Sequence, residues 1–325
     1  MTTRPRNLLD WLQQEPPTLA TLHNAVTSTA PATRTEEPWP QVKRWTQWED
    51  FSAATLNPLL QDIWNQEYEL PASPPPFPAP AQLLIGNERA LEFVLIRWHN
   101  TVVTVALEAV AARFKKLRPK LLFWASGGSE KSASKLGFPD WAGVPPLPAA
   151  PATLPRSACP GESKYTQHSL VSTIKKSQWA LNCISQAAFY AIQRETRYFF
   201  LFTPHELLVG RYSNPKTPAN TPAPPPASPP VSSRTRSGGT VKPAATPPPS
   251  SPYSPRTPRA DPGDNLVPEL AAIRWADRGR GKLSVSQALF SLHLLASLGS
   301  NVQDAYEDLA AEYTRPLRDL IRAAS

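Results

Sequence analysis

Two cysteines, one methionine, five histidines and thirteen glycines are few for a chain of 325 residues. Neither Cys159 nor Cys183 has a Cys-x-x-Cys partner, and His23, His99, His168, His205 and His293 are scattered, so no zinc-binding motif is written locally. With so few thiols and no apolar start resembling a signal peptide, an intracellular, reducing location is expected, the nucleus ahead of the cytoplasm. Long apolar runs are missing too. The longest, Val102 to Ala112, contains Glu108 and is too short to span a bilayer, so no membrane partner is expected. Acidic residues are absent from 214 to 260, a stretch that holds six basic ones.

Proline, in contrast, is abundant, at forty residues, too many for one compact domain. Residues 213–262 are rich in Pro, Ser and Thr and lack the apolar residues that a core needs, which predicts a disordered basic linker. Thr-Pro or Ser-Pro pairs begin at Thr217, Thr221, Ser228, Thr246, Ser251, Ser254 and Thr257. Around this linker we place a loosely ordered N-terminal region at 1–55, a core at 56–212 and a C-terminal helical segment at 263–325 that packs back on the core. The net charge of +8 is unevenly spread: residues 1–85 carry five basic and nine acidic groups, and residues 86–213 carry 16 and eight. The basic excess therefore lies in the core and the linker, where a polyanion would bind.

Local signals divide the core further. Trp39, Trp45, Trp48 and Phe51 read as packing residues ahead of a helix over Leu56 to Tyr68. Asn87 is placed to cap a long helix carrying Leu91, Val94, Leu95, Trp98, Val102, Val105 and Ala109 at helical spacing and stopping before Pro119. The basic run from Arg113 to Lys120 suits the negative end of that helix, and equally a phosphate contact or a nuclear localisation signal. Leu121 to Ala125 reads as a first strand. Ser284 caps a helix through Leu289, Leu292 and Leu295, and a last helix follows from about Asn301.

The stretch from Phe138 to Lys164 holds the most chemistry. Phe138 to Val144 and Pro160 to Lys164 read as two strands of a hairpin. Side chains alternate along a strand, so Glu162 and Lys164 share a face, and pairing brings Asp140 beside them. Hard oxygen ligands such as Asp140 and Glu162 suit Mg2+, and a lysine beside a metal-bound water orients it and helps remove its proton. A loop acid and a surface ion pair would account for the same three residues. In the next helix, from about Val171 to Arg194, Trp179, Cys183, Gln186 and Tyr190 form one stripe.

Pro139-Asp140 followed by Glu162-Ser163-Lys164 resembles the signature of the PD-(D/E)XK nuclease superfamily. Gln186-Ala187-Ala188-Phe189-Tyr190 resembles the Gln-x-x-x-Tyr motif of its RecB-like and lambda-exonuclease-like members. Pro139 to Val144, Gly161 to Lys164, Thr196-Arg197-Tyr198 to Thr203, Glu206 to Val209 and Leu283 to Ala296 are similar to PD-(D/E)XK nuclease-like proteins of filamentous fungi, over about 60–212 and 265–325. The resemblance implies an α/β fold of restriction-endonuclease-like type, a mixed sheet flanked by helices. It implies Mg2+ or Mn2+ on Asp140 and Glu162, Lys164 activating water, and Gln186 and Tyr190 assisting. The helix before the first core strand often supplies a further acid in such folds. Of Glu88, Glu92 and Glu108 we choose Glu92 as that metal ligand. The expected activity is hydrolysis of phosphodiester bonds in nucleic acid, DNA ahead of RNA. The alternative is a non-catalytic adaptor of the same fold that recruits protein partners through its Pro-rich segment.

Overall fold

The computed structural model describes residues 3–22, 42–127, 139–146, 157–174, 177–213 and 267–322. In chain order its elements are β1 (Thr3–Asn7), α1 (Leu8–Leu12), β2 (Ala20–Thr21), β3 (Thr46–Gln47), α2 (Ala53–Leu59), α3 (Gln61–Trp64), β4 (Glu67–Pro71), β5 (Leu84–Ile85), α4 (Glu88–Leu95), α5 (Thr101–Arg113), β6 (Phe123–Ser126), β7 (Trp141–Val144), β8 (Gly161–Ser163), α6 (Leu170–Thr173), α7 (Gln178–Gln193), β9 (Tyr198–Phe202), β10 (Glu206–Ser213), β11 (Val267–Arg274), α8 (Val285–Leu298) and α9 (Leu309–Arg322). The fold is mixed α/β. Seven strands form one sheet in the order β3-β11-β10-β9-β8-β7-β6. The β8–β9 and β11–β3 pairs are parallel and the other four antiparallel.

The Tyr-Phe-Phe-Leu-Phe sequence of β9 suits a strand buried on both faces, and all five side chains are buried. Tyr198, Phe200 and Phe202 point to the larger core, with α5 and α8, while Phe199 and Leu201 point to a smaller one under α6 and α7. Trp124 stacks on Phe202 at 5.5 Å and meets Trp141 edge-on at 5.2 Å, which binds β6 and β7 to the sheet's centre. Glycine is required where two strands crowd. A Cβ on Gly161 would lie 2.2 Å from the Phe200 ring, so only a bare Cα lets β8 lie flat on β9.

α4 and α5 form one rod joined by a π-helical turn, Ile96–Asn100. Asn87 caps it through Ala90 N, as expected, and the helix ends at Arg113, before Pro119. By length and composition alone, residues 88–113 would suffice to cross a membrane. Yet Leu91, Val94, Leu95, Trp98, Val102, Val103, Ala106, Leu107 and Val110 all belong to the larger core. Ser284 caps α8 through Gln287 N, and α9 begins at Leu309, later than its pattern suggested.

Three sequence expectations need correction. Residues 1–55 are not loosely ordered where they are described: Leu8, Trp11, Leu12, Trp48 and Phe51 are buried in the larger core, and Trp11 Nε1 donates to Val102 O at 3.0 Å. Scattered large aromatics carry no periodic signal, so their burial follows from distant partners. The helix expected over 56–68 is instead α2, α3 and then β4, whose Tyr68 and Leu70 alternate inward while the strand pairs with β1. The C-terminal segment does more than pack helices on the core. Its first element, β11, enters the sheet between β10 and β3, with Leu270, Ala271 and Ile273 supplying core side chains to its two faces. Trp39, the connection at 147–156 and the linker lie outside the described residues, apart from Ser213, which ends β10.

Candidate functional site

The expected hairpin partners are neighbours: β7 pairs antiparallel with β8 through Trp141 and Gly161. Asp140 stands one residue before β7, and its Oδ2 accepts Ser163 N at 2.8 Å, while Trp141 Nε1 donates to Ser163 Oγ at 2.7 Å. These two bonds fix where β8 sits, and so where its alternating side chains point. Ser163 is held toward the hairpin. Glu162, in register with Leu201, takes the sheet face covered by α7. Lys164 follows on the same face, and its Nζ lies 3.1 Å from Glu162 Oε2.

α4 closes the site from another direction. Glu88 Oε1 lies 3.6 Å from Lys164 Nζ. Glu92, one turn later, is close enough to interact with Asp140, Glu88 and Lys164. Four residues separate the two acids, so both face the site. Glu108 is exposed and, by helix rise, about 24 Å along the rod from Glu92. The structure therefore brings Asp140, Glu162, Lys164 and Glu92 together, adds Glu88 and leaves Glu108 out. Choosing a single acid from α4 overlooked the i, i+4 spacing that would have kept Glu88 in the site.

Charge is compressed here. Burial, with the nearby Asp140 charge, holds the Glu162 carboxyl well above the ordinary carboxylate range. Burial also raises Asp140, against the pull of Lys164 and the Ser163 N–H. Glu92 is pushed up to about 7 by burial, then by Asp140 and Glu88. Burial alone would lower Lys164, but Glu162, Glu88 and Asp140 outweigh it and raise the ammonium above its usual range. The Asp140 and Glu162 carboxyl groups are near enough to share a proton. Glu162 Oε1 is buried and, among the described residues, accepts from no donor. Two adjoining carboxyl groups with an idle buried oxygen need a positive centre between them, a proton or a cation.

Among the described residues, no three His, Cys, Asp or Glu side chains form a ready-made metal cage, so Glu92 does not complete one with Asp140 and Glu162. A pair of carboxylates still suits Mg2+, which keeps several waters and takes few protein ligands. On that chemistry and the idle Oε1, the donor set fits a hard divalent ion.

α7 supplies the flank. Gln186 and Tyr190 are buried, and the Tyr190 phenol is pushed up to about 12 by burial and then by Glu162, while it hydrogen-bonds Gln186. Gln186 Oε1 is buried without a partner among the described residues. Arg194, one turn further, sits over the Tyr190 ring at 5.3 Å. The sequence reading missed this residue, although its spacing from Tyr190 repeats that from Gln186 to Tyr190. The basic run after α5 is elsewhere, at the far end of the α4–α5 rod and about 38 Å from Glu88 by helix rise. Trp48 and Phe51 are core, as their packing reading expected. Comparison of this chain with protein-family models, curated proteins and solved structures finds no match.

Proposed function

We propose that this chain is a metal-dependent phosphodiester hydrolase of PD-(D/E)XK type acting on nucleic acid, DNA ahead of RNA. The observation that supports the reading best is the meeting of Asp140, Glu162 and Lys164 on one sheet face, with Glu162 Oε1 buried and lacking a donor among the described residues. Asp140 and Glu162 would hold Mg2+ or Mn2+, with Glu92 behind them, and the bound ion would supply Lewis acidity and an acidified water. Lys164 is a buried ammonium set to orient a water and to take up developing negative charge. Gln186 and Tyr190 offer an amide and a phenol one turn apart to a phosphate oxygen. Arg89 provides positive charge beside Glu92, and Arg194 lies over the Tyr190 ring.

The test is cleavage. Full-length protein with Mg2+ or Mn2+ is expected to cut DNA or RNA, and Asp140→Ala or Lys164→Ala to abolish cutting by at least about a thousandfold. Chelator should mimic the Asp140 substitution. Binding to nucleic acid should survive both substitutions and weaken with salt, because phosphate neutralisation does not need the acids. Inactivity on single- and double-stranded DNA and RNA with both metals, in folded protein whose Pro-rich segment captures protein partners, would replace this reading with that of an adaptor.

A further inference from the structure

Lys164 and the acids of α4 carry a further inference, which rests on the metal-site reading above. Lys164 is the cation of the cluster, with its ammonium 3.1 Å from Glu162 Oε2 and 3.6 Å from Glu88 Oε1. Its side chain is only 8% exposed, whereas that of Glu88 is 34% exposed. A divalent ion on Asp140 and Glu162 would compete with the ammonium for the same Glu162 carboxylate, since adjacent cations repel strongly in a partly dry site. An ammonium this buried cannot rely on water as its counter-partner and needs an anion within reach. Glu88 is that anion. It stands in the first turn of α4, behind the Asn87 cap, where the backbone holds it at the rim of the site.

We infer that Glu88 is a positioning residue that retains the Lys164 ammonium beside the site when a divalent ion takes Glu162. Of the two acids of α4, Glu88 is the one that holds the lysine. Glu88 acts through Lys164 and is not itself a ligand.

A double-mutant cycle on metal binding alone tests this, with no nucleic acid present. Mn2+ is titrated calorimetrically into chelator-treated full-length protein: wild type, Glu88→Gln, Lys164→Met and the double variant. Without Glu88 the ammonium clings to Glu162, so Glu88→Gln should weaken Mn2+ binding by about five- to tenfold, and by about twofold or less in the Lys164→Met background. An equal loss in both backgrounds would make Glu88 a ligand and overturn the inference, as would no loss in either. Absence of Mn2+ binding to folded wild type would instead remove the metal-site reading itself. Should Lys164→Met not fold, Lys164→Gln repeats the cycle. A second readout is amine acetylation scored by mass spectrometry, in which Lys164 with Mn2+ bound should react several-fold faster in Glu88→Gln than in wild type. Unchanged reactivity would count against the inference.

Discussion

A buried carboxyl group beside another is unfavourable for folding by itself, since each is desolvated and each repels the other's charge. Asp140, Glu162 and Glu92 accept that cost together, with one ammonium among them. Their effect on stability follows a definite sign. Glu92 titrates at about 7 in the fold against 4.5 as its ordinary value, so the native state keeps a proton that the unfolded chain has released. The contribution is complete below pH 4.5 and is lost as pH rises through 7. In chelator, Glu92→Gln should therefore melt progressively higher than wild type between pH 4.5 and 7.5, with no such divergence below pH 4.5. Parallel melting curves across that range would show that Glu92 is not desolvated.

At the scale of elements, the β10–β11 ladder controls the long proline-rich segment. Ser213 and Val267 are register partners in this antiparallel pair, so the two chain ends that residues 214–266 connect lie side by side. A short hairpin turn can close such a ladder. Replacing 214–266 by a four-residue Asn-Gly turn is expected to keep β11 in the sheet, and shortening the loop should add about 2 kcal/mol of stability. Thermal melting checks this, and a drop of more than about 5 °C would mean that the segment contributes packing of its own. The π-helical turn acts on a second element. It changes the helical register between α4, which presents Glu88 and Glu92 to the site, and α5, which buries Val102, Val103, Ala106, Leu107 and Val110.

Across the whole molecule, the sheet separates two chemistries. The acids lie on its α7 face, and the opposite face buries His99 and His293 among Trp124, Phe200, Phe202 and Trp275. Each histidine uses Nδ1, with Ser286 or with Leu289 O, and leaves Nε2 buried without a partner among the described residues. Burial holds His99 down to about 3 and His293 to about 4. The unfolded chain binds these protons below pH 6.5 and the native state does not, so stability is complete above 6.5 and declines as pH falls toward 4. Acid melting of wild type should show this decline, and His293→Leu should flatten it between pH 6.5 and 4. An unchanged slope would place the acid sensitivity elsewhere.

Much of the site was legible in the chain because its residues are set by local rules. Glu162 and Lys164 share a face through strand alternation, Gln186 and Tyr190 through helical spacing, and Asn87 and Ser284 start helices through their own side chains. Other features depend on partners far away in sequence. That β11 enters the sheet, that Trp11 is core, and that β4 is a strand follow from pairing and burial that no short window contains. The same holds for charge. Glu88 and Glu92 lie on the same side of α4, and only the packing of α4 against β8 sets one beside Lys164 and lifts the other to about 7. Sequence determined which groups could meet along each element; tertiary packing decided which of them did, because desolvation and Coulomb energy depend on the distance between elements and not on order along the chain.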